Sequence, residues 1–276
     1  MWPGLIRLVA VAVGMLAAAN VDANVDAGAR SLRVCADPNN LPYSNERGEG
    51  FENRIVTLLA ADLGAEVEYT WWAQRRGFIR NTLKAGLCDL LAGVPTDMGM
   101  VATTRPYYRS GYVFMAAGGP ADQVRSFDDP KLRELRIGIQ MIGDDFSNTP
   151  PAHALSRRGI VDNVRGFMVY GDYADAAPGA GIVEALGRGD IDLAIVWGPQ
   201  AGYFAKRLGK PVSLTAAGPE ADGPALPMAF DISMGMRRED KDLRREIDEA
   251  LVRNRKAIDA ILAEYGVPRL DPVAPD

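Results

Sequence analysis

The sequence predicts an α/β protein of two lobes, each a wound β-sheet flanked by helices, with a cleft between the lobes. Two observations predict this fold. Short apolar strand segments alternate with amphipathic helical segments along most of the chain. A Gly-Gly-Pro break at positions 118–120 separates two such wound units. Because ligands of open α/β sheets bind beyond the carboxyl ends of the strands, we expect the loops after the strands to line the cleft.

The amino-terminal segment, residues 1–27, is typical of a secretory signal peptide. One cation, Arg7, precedes an apolar run from Leu8 to Ala19, which is too short to span a bilayer. Small residues follow, and we expect cleavage near positions 19–27. A membrane anchor is the alternative, and no other stretch is long and apolar enough to cross a membrane. The sequence therefore predicts an exported protein with no membrane span in the mature chain.

Charge and composition argue against several partners and cofactors. The net charge of the 276 residues is −5 and no basic block stands out, which disfavours nucleic acid as a partner. The chain has one histidine, His153, no paired-cysteine motif and no acidic calcium loop, so we expect no metal site and no cofactor.

The first wound unit opens with a strand over residues 32–35 and a loop stiffened by Pro38 and Pro42. Apolar residues at helical spacing then predict a helix from Phe51 to Leu63, with Gly64 as its stop. This loop is the first candidate for a wall of the binding cleft, and it supplies Asn39, Asn40 and Tyr43. A connecting surface loop without function is the alternative.

Two further strands of this unit end in polar or aromatic loops. Alternation predicts a strand over residues 65–71, followed by Trp72, Arg75 and Arg76, and then a helix over residues 78–84. A strand over residues 87–94 leads to Thr96 and Asp97. Trp72 could stack on a ligand or anchor a partner protein, and the two arginines could clamp a carboxylate, although solvated surface arginines are commoner. Tyr107, in an extended aromatic segment, completes the candidates from this unit.

The two cysteines of an exported chain suggest one disulfide, between Cys35 and Cys88. We expect their strands to be neighbours in a doubly wound sheet. Two free buried thiols are the alternative.

The second wound unit repeats the pattern. It comprises strands over residues 135–141, 163–170 and 191–197, a helix that begins at Thr149-Pro150, and a helix over residues 181–186. Asp144, Asp145 and Asn148 stand in the loop before the first helix. The two aspartates could do acid–base chemistry, but acidic residues beside a helix start more often complement its dipole.

The last part of the chain is predicted to return to the first lobe. Residues 228–236 are typical of a strand, and the apolar face over residues 240–265 predicts one long helix closed by Gly266. We therefore expect lobe 1 to comprise residues 28–117 and 229–276, and lobe 2 to comprise residues 118–228.

Over the whole mature chain, the sequence resembles the type II periplasmic solute-binding proteins. Long, unusual stretches make the resemblance more specific, to the MxaJ/XoxJ-type proteins associated with quinoprotein methanol dehydrogenases. These stretches are CADPNNLP, YTWWAQRRGFIRNTLKAG, GDDFSNTPPAHALSRRGIVDNV, VYGDYAD, VWGPQAGYFAK and FDISMGMR.

The resemblance also indicates what the cleft lacks. In amino-acid-binding relatives, an arginine in a TxxR pattern holds the ligand carboxylate, and an aspartate after a second-lobe strand holds its ammonium. The threonine falls on Thr96, but the arginine position falls on Gly99 and the aspartate position on Trp197. A zwitterion in such a cleft would lose hydration without gaining ion pairs, at a cost of roughly several kcal/mol per charge.

The resemblance therefore implies a non-catalytic protein that assists maturation or activation of a PQQ-dependent methanol dehydrogenase, its protein partner. Calcium or lanthanide and PQQ would belong to that enzyme. We expect the cleft rim to hold either a segment of the partner or a small molecule, through Asn39, Asn40, Tyr43, Trp72, Arg75, Arg76, Thr96, Asp97, Tyr107, Asp144, Asp145, Asn148 and Trp197. An importer subunit for a small uncharged or aromatic solute is the alternative. A dehydratase of this fold is a third possibility, with Asp144 or Asp145 and Arg75 as its visible candidate groups.

Overall fold

The computed structural model describes Met1 and residues 30–142, 148–170, 172–223 and 226–270. Most of the predicted signal peptide, and both Asp144 and Asp145, lie outside the described residues. Twelve strands and seven helices are found in the described part of the chain.

The strands are β1 Arg30–Ala36, β2 Asn39–Asn40, β3 Ser44–Asn45, β4 Ala65–Trp71, β5 Leu90–Pro95, β6 Ala102–Thr103, β7 Tyr108–Ala116, β8 Ile137–Met141, β9 Val164–Met168, β10 Leu193–Trp197, β11 Ser213–Ala216 and β12 Ala229–Met236. The helices are α1 Phe51–Asp62, α2 Phe78–Asn81, α3 Pro150–Arg157, α4 Gly181–Arg188, α5 Gly198–Ala205, α6 Lys241–Arg253 and α7 Arg255–Glu264.

One curled sheet runs through both lobes in the order β4-β1-β5-β12-β7-β10-β8-β9. Strand β1 pairs in parallel with β4 and β5 in the first lobe, and β8 pairs in parallel with β9 and β10 in the second. Strand β7 connects the two halves, because its residues 108–111 pair with β12 whereas its residues 112–116 pair with β10. The prediction of a two-lobed α/β fold is confirmed. The exact lobe boundaries stay a prediction.

Helix α1 covers the first half of the sheet and fixes the start of the cleft. Its apolar face, with Phe51, Ile55 and Leu59, is buried in the core. At its amino end, the backbone N–H groups of Phe51 and Glu52 donate to the carbonyls of Pro42 and Tyr43. A Cβ at Gly50 would overlap the Tyr43 carbonyl, so only glycine allows this close approach. The helix start is thereby held against the loop that follows β1.

Several predicted element boundaries are wrong: the helix predicted over residues 78–84 ends at Asn81, the strand predicted over residues 135–141 begins at Ile137, and two further differences have a local cause. The helix predicted over residues 240–265 is two helices, α6 and α7, separated at Asn254, whose φ and ψ are −98° and 10°. The Asn254 amide donates to the Ala250 carbonyl at 2.9 Å, and such local side-chain bonds compete with helix continuation. The strand predicted over residues 87–94 begins only at Leu90. Leu87 is 48% exposed, so the three residues before β5 are a loop and not a buried strand.

The predicted disulfide between Cys35 and Cys88 is confirmed, with a Cα–Cα distance of 5.5 Å. Cys35 lies in β1 and pairs with Leu91 of β5, as expected for neighbouring strands. Around the bridge, a small apolar cluster packs at this end of the first lobe. Among the helices of the described residues, none is both long and apolar enough to cross a bilayer.

Candidate functional site

A cavity of about 390 Å³, the cleft cavity, opens between the two lobes. Its volume falls in the range of small-molecule sites. The lining comes from both halves of the sheet and consists of Asn40, Tyr43, Glu52, Gln74, Gly93, Val94, Pro95, Tyr108, Tyr112, Gln140, Ile142, Thr149, Pro150, Val169, Tyr170, Trp197, Gln200, Phe230 and Ile232. Most of this surface is apolar, and its polar groups are mainly amides and hydroxyls.

Glu52 is the one charged residue among the lining residues that belong to the described part of the chain. It stands in the first turn of α1, and its Oε1 occupies the place where residue 93 would carry a Cβ, so Gly93 makes room for the carboxyl group on β5. Within the described part of the chain, the Glu52 side chain has neither an ion pair nor a hydrogen bond. Burial raises the pKa of this carboxyl from its ordinary value of 4.5 to about 8.

The second-lobe wall is built around Trp197, the last residue of β10. Its backbone N–H donates to Oε1 of Gln140 at 2.8 Å, and Nε2 of Gln140 donates to Gln200 on α5. The Thr149 hydroxyl at the start of α3 donates to the Gln140 carbonyl at 2.8 Å. Nε2 of Gln200 is buried without a hydrogen-bond partner among the described residues, so this donor can serve a ligand.

Aromatic rings form a connected wall on the same side of the cavity, here called the aromatic wall: Tyr112, Trp197 and Phe230. The centroids of Tyr112 and Trp197 lie 5.3 Å apart, and those of Trp197 and Phe230 lie 5.8 Å apart, both in edge-to-face arrangements. Such pairs hold each other in place, so the wall is preformed. Trp197 thus contributes apolar surface where the amino-acid-binding pattern would place an aspartate.

The two lobes also contact each other beside the cavity, through a group here called the lobe latch: Asp37, Asn39, Arg75, Tyr173 and Asp175. The Tyr173 hydroxyl donates to Asp37, and the Asn39 amide donates to the Asp175 carbonyl at 2.9 Å. The Arg75 guanidinium lies 4.8 Å from the centre of the Tyr173 ring, a cation–π distance. Burial and the Asp37 hydrogen bond raise the pKa of Tyr173 above its ordinary value.

The residues predicted from the sequence fall into three groups. Asn40, Tyr43 and Trp197 line the cleft cavity. Asn39 and Arg75 belong to the lobe latch. Trp72 and Arg76 are exposed and stand close to Arg75 in the sequence.

The other predicted residues lie elsewhere. The Thr96 hydroxyl bonds to Ser233 on β12, and Asp97 is exposed with a φ of 60°. Tyr107 is 2% exposed and donates to the Ala92 carbonyl in the core. Asn148 has a buried Oδ1 with no partner among the described residues. Asp144 and Asp145 lie outside the described residues, so their acid–base role stays a prediction.

Within the described ranges of the chain, no arginine or lysine is among the residues that line the cavity. Gly99, at the arginine position of the amino-acid-binding pattern, is exposed, and its carbonyl accepts a bond from Arg238. The described residues contain no group of three or more histidine, cysteine, aspartate or glutamate side chains placed to hold a metal ion.

Sequence reasoning missed much of the cavity lining, above all Glu52. In the sequence this glutamate is one more acidic residue in the first turn of a helix, a position that the helix dipole already explains. Its contact with Gly93, a residue far along the chain, shows that the Glu52 side chain points into the cleft between the lobes. The same limit applies to five further lining residues, which come from the four separate elements β7, β8, α5 and β12: Tyr108, Tyr112, Gln140, Gln200 and Phe230.

No protein-family model matches the chain. Protein MoxJ of Methylorubrum extorquens is 31% identical to it over 255 residues, which cover 90% of this chain and 84% of MoxJ. The crystal structure of the periplasmic binding protein XoxJ from Methylobacterium extorquens AM1 matches with 35% identity and a TM-score of 0.70, over 87% of this chain and 99% of XoxJ. MxaJ from Methlophaga aminisulfidivorans MPT matches with 26% identity and a TM-score of 0.75, over 87% of this chain and 100% of MxaJ.

Proposed function

The chain belongs to the family of MoxJ and XoxJ periplasmic binding proteins, and we propose that it is a non-catalytic periplasmic protein that assists maturation or activation of a PQQ-dependent methanol dehydrogenase. The similarity over nine tenths of the chain supports the methanol-oxidation context. PQQ and the metal ion then belong to the dehydrogenase. The cleft rim, including the predicted residues Asn39, Asn40, Tyr43 and Trp72, is the surface that contacts the partner.

One structural observation carries the proposal: none of the described residues that line the cleft cavity has a cationic side chain for a ligand carboxylate. Trp197 stands at the aspartate position, and the arginine position at Gly99 lies outside the lining. An amino acid entering this cavity would leave its carboxylate desolvated and unpaired. An ordinary amino-acid importer subunit is therefore disfavoured, whereas an apolar cleft with amide groups suits a segment of a partner protein.

Loss of the chain tests this role directly. In the native host, we expect deletion of its gene to lower the specific activity of methanol dehydrogenase per mass of enzyme, and the wild-type chain to restore it. An affinity-tagged chain purified from the periplasm is expected to co-elute with the dehydrogenase. Normal specific activity in the deletion strain, together with no co-elution, would contradict the proposal.

A receptor for a small uncharged or aromatic solute, feeding an importer, is the second candidate. The preformed aromatic wall favours this second role, and so does Nε2 of Gln200, a donor that has no partner among the described residues. A solute at about 100 times its Kd stabilises the folded state by about 2.7 kcal/mol, which a thermal unfolding screen detects. A metabolite that raises the Tm, with no dehydrogenase recovered in the purification, would favour this second role over the first.

A further inference from the structure

The described lining of the cleft cavity combines one unpaired carboxyl group with several aromatic side chains. Glu52 is the charged residue among the described residues that line it, and it has no ion pair or hydrogen bond with any of them. Tyr43 and Tyr108 line the cavity on the Glu52 side and both contact Phe51, with centroid distances of 5.4 and 6.0 Å. The aromatic wall adds three further rings. Ring faces attract cations, and cages of this composition are suited to ammonium groups with apolar substituents.

We propose that the cleft cavity binds a small organic ammonium ion, with its positive charge against Glu52 and its apolar substituents against the aromatic wall. A half-buried carboxyl that faces a mostly apolar cavity without a partner costs free energy in the ligand-free protein when it is ionised, and a bound cation compensates this cost. The described lining offers no cation to hold the carboxylate of a zwitterion, and an anion would be repelled by the ionised Glu52. The inference goes beyond the dehydrogenase role, because the purified chain binds the ion with no dehydrogenase present.

Ionisation of Glu52 couples cation binding to pH. The titratable groups that face it are Tyr43, Tyr69, Tyr107 and Tyr108, and burial raises the pKa of each tyrosine above its ordinary value, so all four stay neutral. A smaller cavity of about 100 Å³ adjoins the cleft cavity and is lined by both Glu52 and Asp37. The Asp37 carboxylate already accepts hydrogen bonds, from the backbone N–H groups of Asn39 and Gln74 and from the Tyr173 hydroxyl. A bound cation favours the ionised carboxylate, so binding releases the Glu52 proton.

The test compares choline with its neutral isostere 3,3-dimethylbutan-1-ol by calorimetric titration of the purified chain. We expect choline to bind more tightly than the isostere. Its affinity should rise by about tenfold per pH unit below about pH 8 and then level off, since a bound cation needs the ionised Glu52. The affinity of the neutral isostere should show no such rise with pH.

Two variants assign the effect to these side chains. Glu52→Gln keeps the size of the side chain and should lower choline affinity at least about tenfold at high pH, with little effect on the isostere. Trp197→Leu keeps apolar bulk and should also weaken choline binding, because it removes a ring face. Glu66→Gln, an exposed carboxyl on β4, is the matched control and should bind choline like the wild type.

The outcomes are decisive in both directions. Choline binding that depends on Glu52 and strengthens with pH supports the site. No choline binding at millimolar concentration, equal affinity for choline and the isostere, or undiminished choline binding by folded Glu52→Gln overturns it. None of these results depends on whether the dehydrogenase co-elutes, so this proposal and the proposed function fail separately.

Discussion

At the scale of single residues, the Glu52 carboxyl links stability to pH. Its pKa is about 8 in the folded protein and near 4.5 in the unfolded chain. Between these values the unfolded chain has lost a proton that the folded protein keeps, so the folded state loses stability as the pH rises through this window. In the ligand-free protein, burial therefore favours the neutral, protonated form of the Glu52 carboxyl.

Replacing Glu52 with glutamine should therefore stabilise the ligand-free protein, and more so at higher pH. Allowing for solvent in the cavity, we expect a gain in the free energy of unfolding of about 1–3 kcal/mol near pH 8 and less than about 1 kcal/mol near pH 5. Urea unfolding of both proteins across this pH range measures the difference. Glu66→Gln on the exposed face of β4 should show no such trend. A Glu52→Gln variant that is less stable than the wild type at pH 8 would contradict the burial argument.

The disulfide is the second residue-scale feature with a measurable consequence. It closes a loop of 53 residues between Cys35 and Cys88. Replacing both cysteines with alanine should lower the free energy of unfolding by about 2–4 kcal/mol, because the unfolded chain regains the freedom of that loop. Chemical unfolding of the variant and of the wild type, with and without reductant, measures the loss. Reductant should destabilise the wild type alone, and an equal effect on the variant would point to another cause.

At the scale of elements, the approach of α1 to β5 creates the place where Glu52 lies. A Cβ at Gly93 would overlap Oε1 of Glu52, so Gly93→Ala should push the carboxyl out of its position. We expect a loss of stability of about 1–2 kcal/mol, since the far end of a flexible side chain can move at moderate cost. The same change in a Glu52→Ala background should cost much less, because the overlapping atom is gone.

A double-mutant cycle over Gly93 and Glu52 measures that interaction. Its coupling energy should exceed about 0.5 kcal/mol, because the stability effects of two independent substitutions add to within about that value. Gly86→Ala offers a contrast: a Cβ at this position would meet no atom within 4 Å, but the φ of Gly86 is 76°, so the cost reflects backbone strain and is expected to be independent of Glu52. Additive effects of Gly93→Ala and Glu52→Ala would show that the carboxyl does not lie against β5.

Most of the longer elements were predictable, because local patterns specify them, whereas α5 and β11 were not predicted. The alternation of Val67, Tyr69 and Trp71 predicts β4 with the bounds that the structure has. The break at Asn254 escaped prediction, since the apolar face of α6 continues into α7 across it. Glu52 and the Gln140–Gln200 pair escaped for a different reason. Their role depends on residues far away in the chain, about which a local pattern carries no information.

At the scale of the whole molecule, strand β7 and the lobe latch determine how the halves of the sheet meet. Strand β7 pairs with both halves and so ties them together, and with the predicted lobe bounds the chain crosses between the lobes twice, after β7 and again before β12. The latch adds polar contacts between residues far apart in the chain, from residues 37–39 to residues 173–175. Apolar contacts accompany them, since Tyr203 on α5 stacks on Tyr265 with a centroid distance of 5.7 Å, and one buried apolar cluster contains residues of both predicted lobes. The latch is the polar part of this contact beside the cleft cavity.

Tyr173→Phe should shift the molecule towards a more open cleft. The change removes the hydroxyl that donates to Asp37 but keeps the ring under Arg75, so it isolates the hydrogen bond from the cation–π contact. A hydrogen bond to a charged group contributes about 1.5–3 kcal/mol, enough to change the ratio of closed to open molecules by about 10-fold or more. Small-angle X-ray scattering should report a larger radius of gyration for the variant.

The matched control for this prediction is Tyr265→Phe, which removes a hydroxyl bonded to the Glu49 carbonyl within the predicted first lobe. It should lower the free energy of unfolding but leave the scattering curve unchanged, because phenylalanine keeps the ring that stacks on Tyr203 of the predicted second lobe. If Tyr173→Phe gives the same scattering curve as the wild type, the latch does not set the opening of the cleft. The pairing of β7 with both halves of the sheet would then be sufficient to hold the lobes in place.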